Sequence, residues 1–267
     1  MKPSGVITIT TDFGHKGPFA AIMKGVILNR FPDASIVDLI HDIPAQWPPE
    51  AGFWVSASYR YFPTGSVHIA IVDPGVGTER KILLVECDDQ LFMAPDNGLL
   101  AQLLDSHPEA SVYHLDAKAI GQLGLGEASN TFHGRDIFAP VAAEVAAGRL
   151  RFADIGTSTN EWIPNWVDRP QATGDQVSGV VITVDTFGNL ISTIEQAMIE
   201  AMTDPVVLFA GLELPIIETY GRAEPGKFLA LVNSFGFVEI ARSEGNAADS
   251  LGAGRGAPIV VRNGLSV

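Results

Sequence analysis

Cysteine is nearly absent. Cys87 is the only one in 267 residues, so the chain holds no intrachain disulfide and no cysteine-rich metal site. Basic residues are few as well. Seventeen Lys and Arg stand against 31 Asp and Glu, a net charge of −14. That balance argues against a nucleic-acid surface, which needs a basic stripe to neutralise phosphates, and against an anionic membrane surface. If charge steers any small molecule here, it favours a cation. No apolar run is long enough to cross a bilayer, and MKPSGVITIT enters a strand without a signal-peptide stretch, so a soluble, cytoplasmic protein is expected. The six histidines are scattered, with no HxxxH or HxH pair, which leaves no metal motif. The chain also lacks the G-x-S-x-G elbow, the G-x-x-x-x-G-K-[ST] phosphate loop and a G-x-G-x-x-G after the first strand; hydrolase-triad and dinucleotide chemistries recede accordingly.

What the chain does have is apolar substance and acids placed at turns. Hydrophobic residues make up 46% and charged residues 18%, enough for a sizeable core. Val6 to Thr10, Ser35 to Ile40 and Val67 to Val72 read as strands. Between them lie helical stretches from Pro18 through Ile27 and from Glu50 to Phe62. This β-α-β-α-β alternation predicts an α/β N-terminal domain with a mainly parallel sheet. Ile82 to Glu86, Leu91 to Met93 and Ser111 to Leu115 read as further strands, Leu99 to Leu104 as a helix start, and Ile137 to Ala147 as a helix capped by Gly148. Gly121 to Ser129 reads as a glycine-rich surface connection. The polar, turn-rich stretch 168–178 predicts a linker between an α/β domain over 1–170 and a second domain over 178–267. Beyond it, short strands recur without a long helix, the pattern of a smaller all-β barrel domain.

The loop Asp73-Pro74-Gly75-Val76-Gly77-Thr78-Glu79-Arg80 follows the most apolar strand. It puts an acid and a guanidinium where open α/β sheets bind ligands, at the carboxyl ends of their strands. Asp12, Asp96-Asn97 and, in the second domain, Asp185 also follow predicted strands. Each is equally ordinary turn or cap chemistry. His133 precedes a helix, where a structural histidine is just as common. Asp185-Thr186-Phe187-Gly188-Asn189 and Asn233-Ser234-Phe235-Gly236-Phe237 place aromatics and amides on turns, residue types that can hold a purine.

Taken in order, Thr11-Asp12-Phe13-Gly14, Asp73 to Gly77, Ala94-Pro95-Asp96-Asn97-Gly98, Thr131-Phe132-His133-Gly134-Arg135-Asp136, Asp185 to Asn189 and Asn233-Ser234 through Ala241 resemble the S-adenosyl-L-methionine hydroxide adenosyltransferase family. Its relatives include the fluorinating and chlorinating enzymes that use the same sulfonium compound. The resemblance covers nearly the whole chain. It implies hydrolysis of S-adenosyl-L-methionine to adenosine and L-methionine, with no cofactor, in a homotrimer whose active site lies between the N-domain of one subunit and the C-domain of the next. It places the family's triad on Asp73, Arg80 and His133. It assigns substrate contacts to Asp12 (ribose), Trp47, Phe132, Asp185, Phe187, Asn189, Tyr220, Ser234 and Arg242. Which member of the triad takes the proton from water stays open; a neutral His133 is the better-matched acceptor, since Arg80 keeps Asp73 ionised and so a weak base. Where the halogenating relatives carry other residues, this chain has Asp73 and His133-Gly134, and it lacks their extra loop after Arg80; these departures favour water over halide. A halide transferase and a non-catalytic binding protein are the competing readings.

Overall fold

A computed structural model describes residues 2–116, 121, 124 and 126–264. The chain divides into two compact units, Met1–Trp166 and Val167–Val267. The expected connection from Gly121 to Ser129 lies in part outside the described residues.

The first unit is built on a seven-stranded sheet. Its strands are β1 (Val6–Thr11), β2 (Ser35–Ile40), β3 (Val67–Ile71), β4 (Ile82–Cys87), β5 (Gln90–Pro95), β6 (Ser111–Leu115) and β7 (Gly156–Ser158), in the spatial order β2-β1-β3-β5-β4-β6-β7. The sheet is mixed, which corrects the mainly parallel expectation. Pairings among β2, β1, β3 and β5 are parallel, while β5-β4, β4-β6 and β6-β7 are antiparallel. The cause is local. Asp88 and Asp89, between β4 and β5, both have positive φ, 50° and 56°, as a two-residue hairpin turn requires, and a hairpin can only pair its strands antiparallel.

Alternation along the strands sorts the core into two layers. Ile69 and Ile71 of β3 pack with Met23 and Ile27 of α1 (Phe19–Arg30) and with Val141 and Val145 of a later helix (Ala139–Ala146). Ala70 and Val72 face the other way, against Ala51 and Val55 of α2 (Pro48–Ser58) and Leu103 and Leu104 of α3 (Ala101–Ser106). That later helix, α4, is preceded by a π-helical turn over Gly134–Phe138, so the helical segment starts earlier than its apolar pattern indicated. Gly148 follows it with φ +71°, the left-handed C-cap expected of a glycine there.

The second unit is an antiparallel sheet, nearly closed and barrel-like, in the order β12-β11-β15-β9-β10-β14-β13. These strands are β9 (Gln176–Val184), β10 (Leu190–Glu195), β11 (Val206–Phe209), β12 (Leu212–Pro215), β13 (Phe228–Val232), β14 (Phe237–Arg242) and β15 (Pro258–Arg262). A bridge between Ile216 and Ala230 links its two ends. A short strand β8 (Gln171–Thr173), inside the stretch expected as a linker, turns back onto β9. Inside the sheet, Val181, Leu190, Ile194, Val238, Ile240 and Val261 form the core.

One buried group makes the fold sensitive to acid. His68 of β3 is 2% exposed. Its Nδ1 lies 2.8 Å from Thr8 Oγ1 and its ring stacks on Phe92. Burial pulls its pKa down to about 4, below the ordinary value near 6.5. The unfolded chain therefore binds a proton between pH 6.5 and 4 that the folded chain refuses. Stability is complete above pH 6.5 and falls as pH drops towards 4, by roughly 3 kcal/mol from this group. Denaturant unfolding at pH 7 and pH 4.5 should show a smaller loss for His68→Gln than for the parent chain; equal losses would refute this assignment.

Candidate active site

The strand order reverses at β1, which has β2 on one side and β3 on the other. Such a switch point opens a crevice at the carboxyl ends of the strands. Thr11 pairs with Ile71 across β1 and β3, so Asp12 and Asp73 leave the sheet side by side. Arg80 reaches the same edge because β4 runs antiparallel. Its first residues lie beside the last residues of β5, with Ile82 opposite Pro95.

The loop from Asp73 to Arg80 closes on itself. Val76 N–H donates to Asp73 O at 3.2 Å, and Thr78 Oγ1 donates to Gly75 O at 2.7 Å. Arg80 Nε donates to both Asp73 oxygens at 2.9 Å, and Arg80 Nη2 also bonds Oδ2. The two side chains are only 5% (Asp73) and 11% (Arg80) exposed. Asn97 steadies the approach from below, its Nδ2 donating to Val72 O at 2.8 Å.

His133 completes the cluster. Arg80 Nη2 lies 2.9 Å from His133 Nδ1. A guanidinium donates and never accepts, so Nδ1 carries the lone pair. Burial, then the charge of Arg80, lowers the histidine's pKa, and the ring is neutral at pH 7. Its one proton sits on Nε2. The ring therefore presents a donor at Nε2, and its basic nitrogen is already occupied by Arg80. The His133 loop is clamped by Asp136, whose Oδ2 accepts from Ser129 N–H and Oγ at 2.9 and 2.7 Å. Arg135, then Ser129, holds the Asp136 carboxyl down to about 2.

Other predicted residues of this unit take different places. Asp12, half-buried, accepts the Gln46 N–H at 3.0 Å. Trp47 sets its ring edge-on to Trp166 at 6.1 Å. Phe132 packs edge-on against Phe13 and Phe19. Asp96 is drawn away from the cluster: it accepts Ile163 N–H at 2.8 Å and lies 3.4 Å from His114 Nε2.

In the second unit, Asp185 folds its own turn. It accepts from Phe187 N–H, Asn189 N–H and Asn189 Nδ2, each at 2.9 Å. Phe187 stands 77% exposed. Asp185, Phe187, Asn189, Tyr220 and Arg242 line one open cavity of about 590 Å³. Arg242 is held by Gly226 O and Ser250 Oγ and lies over the Phe228 ring. Ser234 is exposed on the turn between β13 and β14 and is not among the lining residues of that cavity. Sequence reasoning passed over Glu239. This carboxylate, 2% exposed, accepts from Tyr220 OH at 2.6 Å and Asn233 Nδ2 at 3.2 Å. Burial raises its pKa, and burial together with Glu239 raises that of Tyr220. The available signal was an acid flanked by apolar residues in mid-strand. Among the described residues no group of three or more His, Cys, Asp or Glu is arranged to hold a metal ion.

An α/β unit with an acid–guanidinium–imidazole cluster at its switch point, followed by a barrel-like β unit with an aromatic-lined cavity, defines a distinct class of two-domain protein. Two family models match the chain: SAM hydroxide adenosyltransferase N-terminal domain over residues 7–156 and its C-terminal domain over 179–260. The chain belongs to the SAM hydroxide adenosyltransferase family. It is 34% identical to the (R)-S-adenosyl-L-methionine hydrolase of Thermus thermophilus, covering 97% of this chain and 99% of that one. It is 36% identical to the protein of the same name from Salinispora tropica, covering 94% and 95%. A fluorinase from Actinoplanes sp. is more distant, at 26% over 89% of this chain and 91% of its own. Among solved structures, an uncharacterized conserved protein from Thermotoga maritima superposes with a TM-score of 0.87 at 30% identity, covering 96% of this chain and all of that one.

Gly77 tests how the cluster is assembled. Its φ is +78°, and a Cβ there would sit 2.0 Å from Asn130 O, three residues before His133. Gly77→Ala forces the Arg80 loop and the His133 loop apart. It should cost at least about 1–3 kcal/mol in denaturant unfolding; a loss within error of zero would refute the close packing of the two loops.

Proposed function

We propose that this protein hydrolyses S-adenosyl-L-methionine to adenosine and L-methionine, water attacking ribose C5′ in line with the sulfonium. The observation that carries this reading is the single hydrogen-bonded cluster of Asp73, Arg80 and His133 at the switch point, in a chain that aligns almost end to end with hydrolases of this name. Those relatives are named for the (R) epimer, so the (R) sulfonium is the expected substrate.

The C5′–O bond forms as the C5′–S bond breaks, and the electron pair leaves on sulfur as the neutral thioether of methionine. The leaving group needs no acid. Water must be positioned and must lose one proton. His133 Nε2–H donates to the water and orients it. Arg80 fixes both partners. Asp73 Oδ1, which accepts one N–H from Arg80, keeps a lone pair and takes the proton. Of the two candidate acceptors, this reading gives the role to Asp73, because the basic nitrogen of the His133 ring is spent on Arg80. Positioning supplies the larger share of the rate, up to roughly 7–11 kcal/mol; a placed base adds ~10²–10⁴.

In this reading Asp12 binds the ribose, and Trp47 and Phe132 wall the pocket. Asp185, Phe187, Asn189, Tyr220, Ser234 and Arg242 receive the methionine and adenine portions. The family resemblance supports a homotrimer in which the N-domain of one subunit meets the C-domain of the next, with domains over 1–170 and 178–267 and no cofactor besides the substrate. Action in the cytoplasm accords with the absence, among the described residues, of a helix long and apolar enough to cross a membrane.

The test is incubation with each sulfonium epimer, with and without chloride or fluoride, followed by chromatography of nucleosides. Halide-independent adenosine, reduced ~10²–10⁴ in Asp73→Ala, is the expected result. A 5′-halo-nucleoside would move the protein to the halogenating branch, and binding without product would leave a binding protein. A second outcome bears on His133. Asn can accept from Arg80 and donate to water but cannot act as a base, so His133→Asn should keep turnover within about tenfold of the parent, whereas loss of a true base costs ~10²–10⁴. Because neutral His133 is required and its pKa is lowered, turnover should hold through pH 6.5 and fall only at lower pH. A midpoint above 6.5 would contradict the assignment.

A further inference from the structure

Beside the cluster, one residue holds both ends of the Asp12 loop. Thr11, the last residue of β1, is fully buried. Its Oγ1 accepts the Phe13 N–H at 3.2 Å and lies 2.8 Å from His41 Nδ1. His41 Nε2 lies 3.0 Å from Asp38 Oδ1. On the far side of the loop, the His41 carbonyl accepts the Gly14 N–H at 2.8 Å. His41 itself is 3% exposed. The sequence Asp38, His41, Thr11 has the composition of a nucleophilic triad, but a hydroxyl with no exposed surface cannot meet a substrate. Its bonds lead to the Phe13 backbone just past Asp12 and to the His41 side chain.

We propose that His41 and Thr11 are positioning residues that fix the Asp12 carboxylate for the ribose hydroxyls. The pair acts through Asp12 and touches no reacting atom. The proposal rests on the reading of Asp12 as the ribose ligand. It explains why a buried histidine directly after an edge strand is tied to the neighbouring strand: two hydrogen bonds hold the loop after Thr11, at Phe13 N–H and Gly14 N–H, and a third joins their acceptors' residues, Thr11 and His41. Asp12 Oδ2 accepts from Gln46 N–H at 3.0 Å, a further tie on the same loop.

Adenosine is the probe, its affinity measured by calorimetry for Thr11→Val, Thr11→Ser, Asp12→Asn and the Thr11→Val/Asp12→Asn double variant. Thr11→Val should weaken adenosine about tenfold and raise KM in proportion, with a smaller change in kcat. Thr11→Ser, which restores the hydroxyl, should restore both. Because Thr11 acts through Asp12, the double variant should bind no more weakly than Asp12→Asn alone. Equal weakening by Thr11→Val in both backgrounds would show a merely structural role and overturn the proposal. So would parent-like binding by Thr11→Val while Asp12→Asn is weak. If Asp12→Asn itself binds adenosine as the parent does, the ribose reading fails, and the positioning proposal with it. Should Thr11→Val not fold, His41→Gln takes its place in the same cycle.

Discussion

The nearly buried ion pair between Asp73 and Arg80 is the constraint on which the rest of the site depends. Two charges this far from water hold their place only when they pair closely and their remaining bonds are met. Removing one partner of such a pair typically costs about 3–5 kcal/mol, because the other is left buried and uncompensated. The loop between them is shaped to that end. Proline and two glycines turn the chain within seven residues, and Gly77 lets the backbone pass against Asn130. Once paired, the guanidinium has an N–H left to direct at His133. The state of the imidazole follows from the pair: its basic nitrogen is used, and its proton sits on Nε2.

The mixed sheet serves the same pairing. In an all-parallel sheet, Arg80 and the start of β4 would lie at the amino ends of the strands, far from Asp73. The tight turn at Asp88 and Asp89 reverses β4 and returns its start to the carboxyl edge. The departure from a simple doubly wound pattern is thus what builds the site. The barrel-like unit solves a related problem with different parts. There Asp185 satisfies its own turn by three hydrogen bonds, and the buried Glu239 fixes Tyr220 and Asn233. Asp185 lines the cavity that its turn shapes, and Glu239 holds Tyr220 on the cavity wall.

Much of this was legible in the residues. Strand alternation and helix spacing are local signals, and they located β1, β2, β3, β6 and most strands of the second unit to within a few residues. The resemblance carried Asp73, Arg80 and His133 together as one triad, and the three do meet. Asp96 shows the opposite case. It has the same sequence setting as Asp73, an acid before glycine at a strand end, yet it turns to Ile163 and His114. Nothing near it in the chain announces those partners, which lie far along the sequence. Glu239 was hidden for the same reason, since its partners Tyr220 and Asn233 sit on other segments.

The sequence by itself determined the elements, the turns and the chemical types available, because these depend on neighbours a few residues apart. It also excluded an intrachain disulfide, since Cys87 is the only cysteine. Tertiary structure alone decided strand direction within the sheet, which acids converge and which nitrogen of His133 is free. Those outcomes depend on contacts between residues separated by tens of positions, such as Arg80 and His133 or Thr11 and His41, and a hydrogen bond has direction as well as distance. Residue types supply the donors and acceptors; only the folded chain says which of them face each other.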